Sequence, residues 1–192
     1  MKPAYTDNTH SRLLAGRVVV RHGDSEHPAV MCVRYCLSVD GYPMERLARL
    51  HCLRLFTVLQ HEATLRNGIY YVVDLTNTGW SDFSLTLHRF MSRILQDRMP
   101  TRVQKILIVN APSMFGFFYK LAAPFIKAKF RERLQFVDHA GLNAAIGSNL
   151  VFNFIEGGQQ EWDKEGNISR MQALAVELTP VHTAWSKGKD AQ

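Results

Sequence analysis

Lys105–Phe125 reads KILIVNAPSMFGFFYKLAAPF. It opens with a lysine and four apolar residues, and Asn110, Ala111 and Pro112 close the run abruptly. A short continuous apolar run between breakers is a strand buried on both faces, as in a parallel sheet. From Ser113 to about Arg133 the pattern turns helical and rich in aromatics. Met114, Phe115, Phe117, Phe118, Tyr119 and Leu121 are too many large apolar groups for one face. Pro124 removes a backbone donor, so a bend or break is expected near Leu121. Beyond it Lys127, Lys129, Arg131 and Arg133 crowd together, separated by Ala128 and Phe130. An apolar, kinked helix with a basic end suits a mobile gate at a membrane, its aromatics entering lipid and its cations meeting anionic headgroups at about 1 kcal/mol each. The same pattern equally suits a buried core helix whose cationic end complements its dipole.

Outward from this stretch, the chain alternates strands and helices. Arg17–Arg21 (RVVVR) is a β-branched run ended by His22-Gly23-Asp24, and Ala29–Cys36 is a second strand candidate. Pro43 opens a helix over Met44–Glu62, with Leu47, Leu50, Leu53, Leu55, Val58 and Leu59 at helical spacing, and Asn67-Gly68 stops it. Ile69–Leu75 (IYYVVDL) is the strongest strand. Asp82 caps a helix over Phe83–Asp97, which Pro100 breaks, and Leu134–Val137 is a last short strand. This order implies crossover connections: an α/β fold, a mainly parallel sheet with helices packed on it. Residues 1–11 are expected to be flexible, 12–158 to form the domain, and 159–192 to be a loosely ordered tail.

Hydrophobic residues make up 46% of the 192 and charged residues 21%, enough apolar content for a real core. No apolar stretch reaches membrane-spanning length, and the polar start lacks a signal-peptide core, so a cytoplasmic protein is expected. Cys32, Cys36 and Cys52 are too few for a disulfide framework and lack metal-ligand spacing, so buried thiols are expected and no metal. His51-Cys52 invites comparison with a cysteine phosphatase loop, but Leu53-Arg54-Leu55-Phe56 continues a helix where such a loop needs glycine and arginine. Asp74–Gly79 follows a strand without the glycine spacing of a phosphate loop. A net charge of +6 favours anionic partners, a membrane face or nucleic acid, yet no nucleic-acid reading motif accompanies the basic residues. No paired carboxylates or Ser-His-Asp order stands out, so neither an enzyme nor a cofactor is expected.

The stretch Lys105–Phe125 resembles the signature of CRAL-TRIO lipid-binding domains, a strand ending in Asn-Ala-Pro followed by a Phe-containing helix and Pro-Phe. Upstream, Tyr71–Leu75 resembles the family's Asp-ended core strand, and downstream Glu156-Gly157-Gly158 resembles its closing Gly-Gly. Together they cover about Gly16–Gly158. Leu14–Arg17, Thr64–Gly68 and Lys129–Leu134 look most similar to the member found at the N-terminus of a megakaryocyte-type protein tyrosine phosphatase. Nothing resembles that enzyme's catalytic domain.

The resemblance implies one lipid held between the sheet and a gate helix around Phe117–Phe130, with exchange when the gate swings out at a membrane. It makes Phe117, Phe118, Leu121 and Phe125 the gate, and Lys127, Lys129, Arg131 and Arg133 the headgroup and membrane contacts. Alternation places Ile69, Tyr71 and Val73 on one sheet face, and Val30, Cys32 and Arg34 likewise share one. By resemblance both sets, with Thr101, would line the pocket. Arg133 matches a lysine that meets inositol phosphate in phosphatidylinositol-transferring members, whereas Thr101 replaces their glutamate. Tyr71 and Ile69 replace small hydroxyl residues of phosphatidylcholine binders. A buried Arg34 needs an anion, a lipid phosphate or a carboxylate on a neighbouring element, unless the side chain is simply exposed to solvent. Only a short polar segment is expected before Gly16, where most family members carry a helical domain. A non-enzymatic interaction or regulatory module that keeps the fold without a ligand is the alternative.

Overall fold

Every strand read from the sequence pairs into one five-stranded sheet whose order, β1-β2-β3-β4-β5, follows the chain. The computed structural model describes residues 18–34, 52, 55, 56, 58–97, 100–163, 165, 166 and 169. Strand β1 (Val18–Arg21) is antiparallel to β2 (Ala29–Arg34). Helix α1 (Glu62–Asn67) leads into β3 (Ile69–Asp74), and α2 (Leu85–Asp97) into β4 (Val103–Val109). Helices α3 (Phe115–Ala122) and α4 (Ala128–Arg131) lead to β5 (Leu134–Phe136), and α5 (His139–Ile146) follows. The pairs β2–β3, β3–β4 and β4–β5 are parallel, as crossover helices require. The fold is therefore a mixed, mostly parallel α/β sheet with helices.

Two boundaries depart from the sequence reading: α2 begins at Leu85 and not at Phe83, and β4 begins before Lys105. Strand β4 begins two residues before Lys105, where the Ile69 N–H donates to Arg102 O and the register shifts. The helical pattern from Ser113 to Arg133, with its expected bend or break near Leu121, is three pieces: α3, a 3-10 turn over Ala123–Phe125, and α4. Pro124 is the cause, since it offers no N–H to the Lys120 carbonyl and its ring crowds it. Of the Met44–Glu62 helix, 44–51 lie outside the described residues; Cys52 and the described positions from Leu55 to Leu59 are helical.

Parallel register decides which strand faces coincide. Ala29 aligns with Ile69 and Met31 with Tyr71, so these share one face, while Val30, Cys32 and Arg34 align with Tyr70, Val72 and Asp74 on the other. On the first face Ala29, Met31 and Ile69 meet Leu55 and Val58. Farther toward the strand C-termini, Leu75 and Ile108 meet Phe115, Phe118 and Ala122 of α3. On the second, Val30, Cys32, Val72, Leu107 and Val109 meet Leu142 and Ile146 of α5 and then Leu150–Phe152 and Ile155. Each such side chain taken from water contributes about 1.5–3 kcal/mol, so both faces are sealed mainly by apolar burial. The closing segment reaches past Gly158: the compact unit runs Arg17–Trp162, with Trp162 edge-on to Phe154.

Candidate functional site

Helix α3 divides its aromatic residues between two sides. Phe115 and Phe118, each 6% exposed, point at the sheet, and Phe83 stacks on Phe118 at 4.7 Å. Phe117 and Leu121 face outward, and Phe125 in the 3-10 turn is also exposed. Of the four residues read as the gate, only Phe118 turns inward. The outward side continues into the turn after β3, where exposed Trp80 meets Phe117. Arg89 of α2 lies 4.4 Å from the Phe125 ring, and Gln96 donates to Phe125 O at 3.2 Å, tying the turn to α2. Trp80, Arg89 and Gln96 were not singled out from the sequence; Trp80 was a lone aromatic in a polar loop.

The root of α3 is Asn110, which takes the left-handed conformation (φ +57°) that Asn tolerates better than most residues. Its Nδ2 donates to Asp74 Oδ1 at 3.0 Å and Thr76 Oγ1 at 2.8 Å. The Thr76 N–H and hydroxyl also donate to Asp74 Oδ1, at 3.0 and 2.6 Å. Asn110 Oδ1 lies 2.7 Å from His139 Nε2, and His139 Nδ1 lies 2.9 Å from Glu156 Oε2. The Asn-Ala-Pro and Glu-Gly-Gly motifs, distant in sequence, therefore meet through one histidine. Both closing glycines are required there. Gly157 has φ +79°, and a Cβ on Gly158 would sit 2.2 Å from Phe152 O.

Lys127, Lys129 and Arg131 are exposed on and just before α4. Arg133 differs, being half-buried with its guanidinium donating to Val103 O. Thr101 stands two residues before Val103, and its buried hydroxyl has no partner among the described residues. The structure thus brings Arg133 and Thr101 to the same end of β4.

The two triplets expected to line one pocket lie on opposite sheet faces, a correction that follows directly from the register. Ile69, Tyr71 and Val73 are on the face that α3 covers farther along. Val30 and Cys32 are on the other, closed by α5 and the segment after it. Arg34, on that same face, is answered by Asp74, its register partner, at 3.5 Å, and lies over the Phe154 ring at 4.8 Å. A lipid phosphate is not needed to neutralise it. Burial pushes the Cys32 thiol far above its usual range, and burial also raises Cys52, so neither is the activated thiolate that nucleophilic chemistry needs. Among the described residues no three His, Cys, Asp or Glu side chains are grouped to hold a metal ion, and no helix is long and apolar enough to cross a membrane.

Helix α5 was absent from the sequence reading, although its signals are present. Asp138 caps it, its carboxylate accepting from Gly141 N at 2.6 Å, Leu142 and Ile146 are one turn apart, and Gly147 ends it.

Comparison with known proteins agrees with this geometry. The CRAL/TRIO domain model matches residues 15–157. Mouse alpha-tocopherol transfer protein-like is 30% identical over 141 residues, 71% of this chain and 40% of that protein. Human tyrosine-protein phosphatase non-receptor type 9 is 35% identical over 72 residues, 38% of this chain and 12% of the phosphatase. The chain thus spans less than half the length of either relative. The crystal structure of Sfh5 superposes with a TM-score of 0.58 at 15% identity, covering 90% of this chain and 65% of that one, which speaks for the fold. With a match over well more than half its length, and with the Asp-ended strand, the Asn-Ala-Pro helix root and the Gly-Gly turn joined in one network, the chain belongs to the CRAL/TRIO domain family.

Proposed function

We propose that this chain holds a hydrophobic ligand, a phospholipid or phosphoinositide, between the Ile69–Tyr71–Val73 face and α3, without a catalytic step. Exchange takes place when the outer side of α3 meets an anionic membrane, the protein being cytoplasmic and transiently peripheral. The observation that supports this best is the division of α3: Phe115 and Phe118 lie on the sheet, while Phe117, Leu121 and Phe125 are exposed ahead of Lys127, Lys129 and Arg131. A helix apolar on both sides has a use for its outer side only where something other than water receives it. Acyl chains offer that, and each methylene kept from water favours binding by about 0.8 kcal/mol. The three cations then serve headgroups, with Arg133 and Thr101 as the nearest counterparts of an inositol-binding pair. The test is native mass spectrometry of the chain made in a eukaryotic host, followed by loading from phosphatidylcholine–phosphatidylinositol vesicles. A co-purifying or loaded lipid is expected; no lipid in either case overturns the reading.

A second reading, an interaction module without a ligand, draws on one observation. The Phe83, Phe115 and Phe118 rings lie 4.7–6.0 Å apart and pack directly between α3 and the sheet. A ligand has to pass beside them or displace them. Failure to load with the fold intact favours this reading.

A further inference from the structure

His139 stands between two groups that only accept hydrogen bonds. The amide of Asn110 is fixed in orientation because its nitrogen donates to both Asp74 Oδ1 and Thr76 Oγ1. Its oxygen therefore faces His139 Nε2 at 2.7 Å. On the other side, Glu156 Oε2 faces Nδ1 at 2.9 Å. A carbonyl oxygen and a carboxylate oxygen cannot donate, so a ring satisfying both contacts carries a proton on each nitrogen. The neutral ring has one proton to give. The bond to the carboxylate is the stronger, so the proton stays on Nδ1, and a bare lone pair on Nε2 then faces the Asn110 oxygen.

We propose that His139 is a proton-operated latch on the root of α3, closed when the imidazole is doubly protonated and opened at Asn110 when it is neutral. Asn110 ends β4 in the left-handed conformation and, through Ala111 and Pro112, leads into α3, so this contact adds to the restraint on the start of that helix. The charges facing the ring are mostly acidic. Glu156 approaches directly from the closing turn. Asp74 on β3 lies behind the Asn110 amide and is partly balanced by Arg34 on β2. Asp138, on the ring's own element, has one oxygen engaged by Gly141 N. The N-terminus of α5, on which His139 sits, opposes the ring's charge. The sign follows: the restraint is present while the ring holds both protons and is lost, as pH rises, once it gives one up. Read with α3 as the gate, on which this regulatory meaning rests, a loss of protons loosens the gate.

The test is hydrogen exchange on the full chain, following the hydrogen-bonded amides of Phe115, Phe117 and Phe118 and corrected for intrinsic rates, with imidazole nitrogen shifts read in parallel. Between about pH 6 and about pH 8.5, protection of these amides in the wild type should fall by about fivefold, the upper scale for a solvent-exposed charged contact. Both ring nitrogens should be protonated at the lower value. Glu156→Gln can donate its amide to a bare Nδ1 while Nε2–H stays on Asn110, so this variant should hold its protection across the whole range. His139→Leu should show the weaker protection throughout. A wild-type change smaller than about twofold, or Glu156→Gln following the wild type, overturns the latch. Neither readout needs a ligand. A protein that takes up no lipid but shows the pH step keeps the latch and loses the carrier reading. One that loads lipid while its exchange ignores pH does the reverse.

Discussion

Trp80 and Phe117 meet edge to face at 6.0 Å although they are 59% and 58% exposed. One sits in the turn after β3 and the other on the outer side of α3, so two separate parts of the chain build one apolar corner. Tryptophan is suited to such a position, because its ring is amphipathic and partitions to the membrane–water boundary.

Replacing both residues, Trp80→Ala with Phe117→Ala, should weaken binding to vesicles by roughly tenfold or more, since each buries a large ring in the bilayer interface. Both are exposed in solution, so the melting temperature should stay within a few degrees. Vesicle co-sedimentation alongside a thermal melt checks the pair of outcomes.

Charge reversal at Lys127, Lys129 and Arg131 should weaken binding to phosphatidylserine-containing vesicles by up to about 1 kcal/mol per residue and leave neutral vesicles unaffected. Raising the salt should narrow the difference from the wild type, because the headgroup field is screened within about 10 Å. A salt-independent loss would point to altered structure.

Arg34→Ala should act on stability and leave lipid affinity unchanged. It strands the Asp74 carboxylate, 3% exposed, without its cation, and removes the guanidinium from the Phe154 ring. Breaking a fully buried pair costs about 3–5 kcal/mol; with Arg34 30% exposed, roughly 2 kcal/mol is expected in a denaturant melt. A change in lipid affinity at unchanged stability would return Arg34 to the binding site.

Phe118→Ala should cost about 3 kcal/mol, because the ring is buried between α3 and the sheet. Leu121→Ala, one turn away but exposed, should cost under about 0.5 kcal/mol. Equal effects would show that the two sides of α3 are not divided as described.

Asp24 governs an acid-sensitive turn between β1 and β2. The Arg21 guanidinium at 2.7 Å, followed by the Glu26 and His27 N–H groups, holds its carboxyl far below the usual carboxylate range. A depressed carboxyl stabilises the fold above its unfolded value, and that contribution disappears as pH falls. The stability difference between the wild type and Asp24→Asn should be constant from neutral pH to about pH 5 and shrink below it. Urea melts at several pH values measure it.

The strands were legible because KILIV and IYYVVD are unbroken apolar runs between turn residues, a local signal. Alternation also identified correctly which residues of one strand share a face. It could not align one strand with the next, and so Cys32 and Tyr71 were assigned to a common cavity that the register divides. The sides of α3 were illegible for a related reason: with aromatics all round, no polar stripe marks the solvent. Pro124 was read correctly as a breaker. Helix α5 was overlooked because its small residues give it only two strong apolar anchors, Leu142 and Ile146. The bridge from Asn110 through His139 to Glu156 joins residues 29 and 17 positions apart, beyond any local pattern.

The opposed faces of the central strand carry two separate apolar clusters. A substitution at Tyr71 and another at Cys32 would repack different apolar clusters. Apart from the His139 link to Asn110, the α5 side packs on its own face, so it can anchor the protein while the α3 face drifts in sequence toward whatever it is asked to hold.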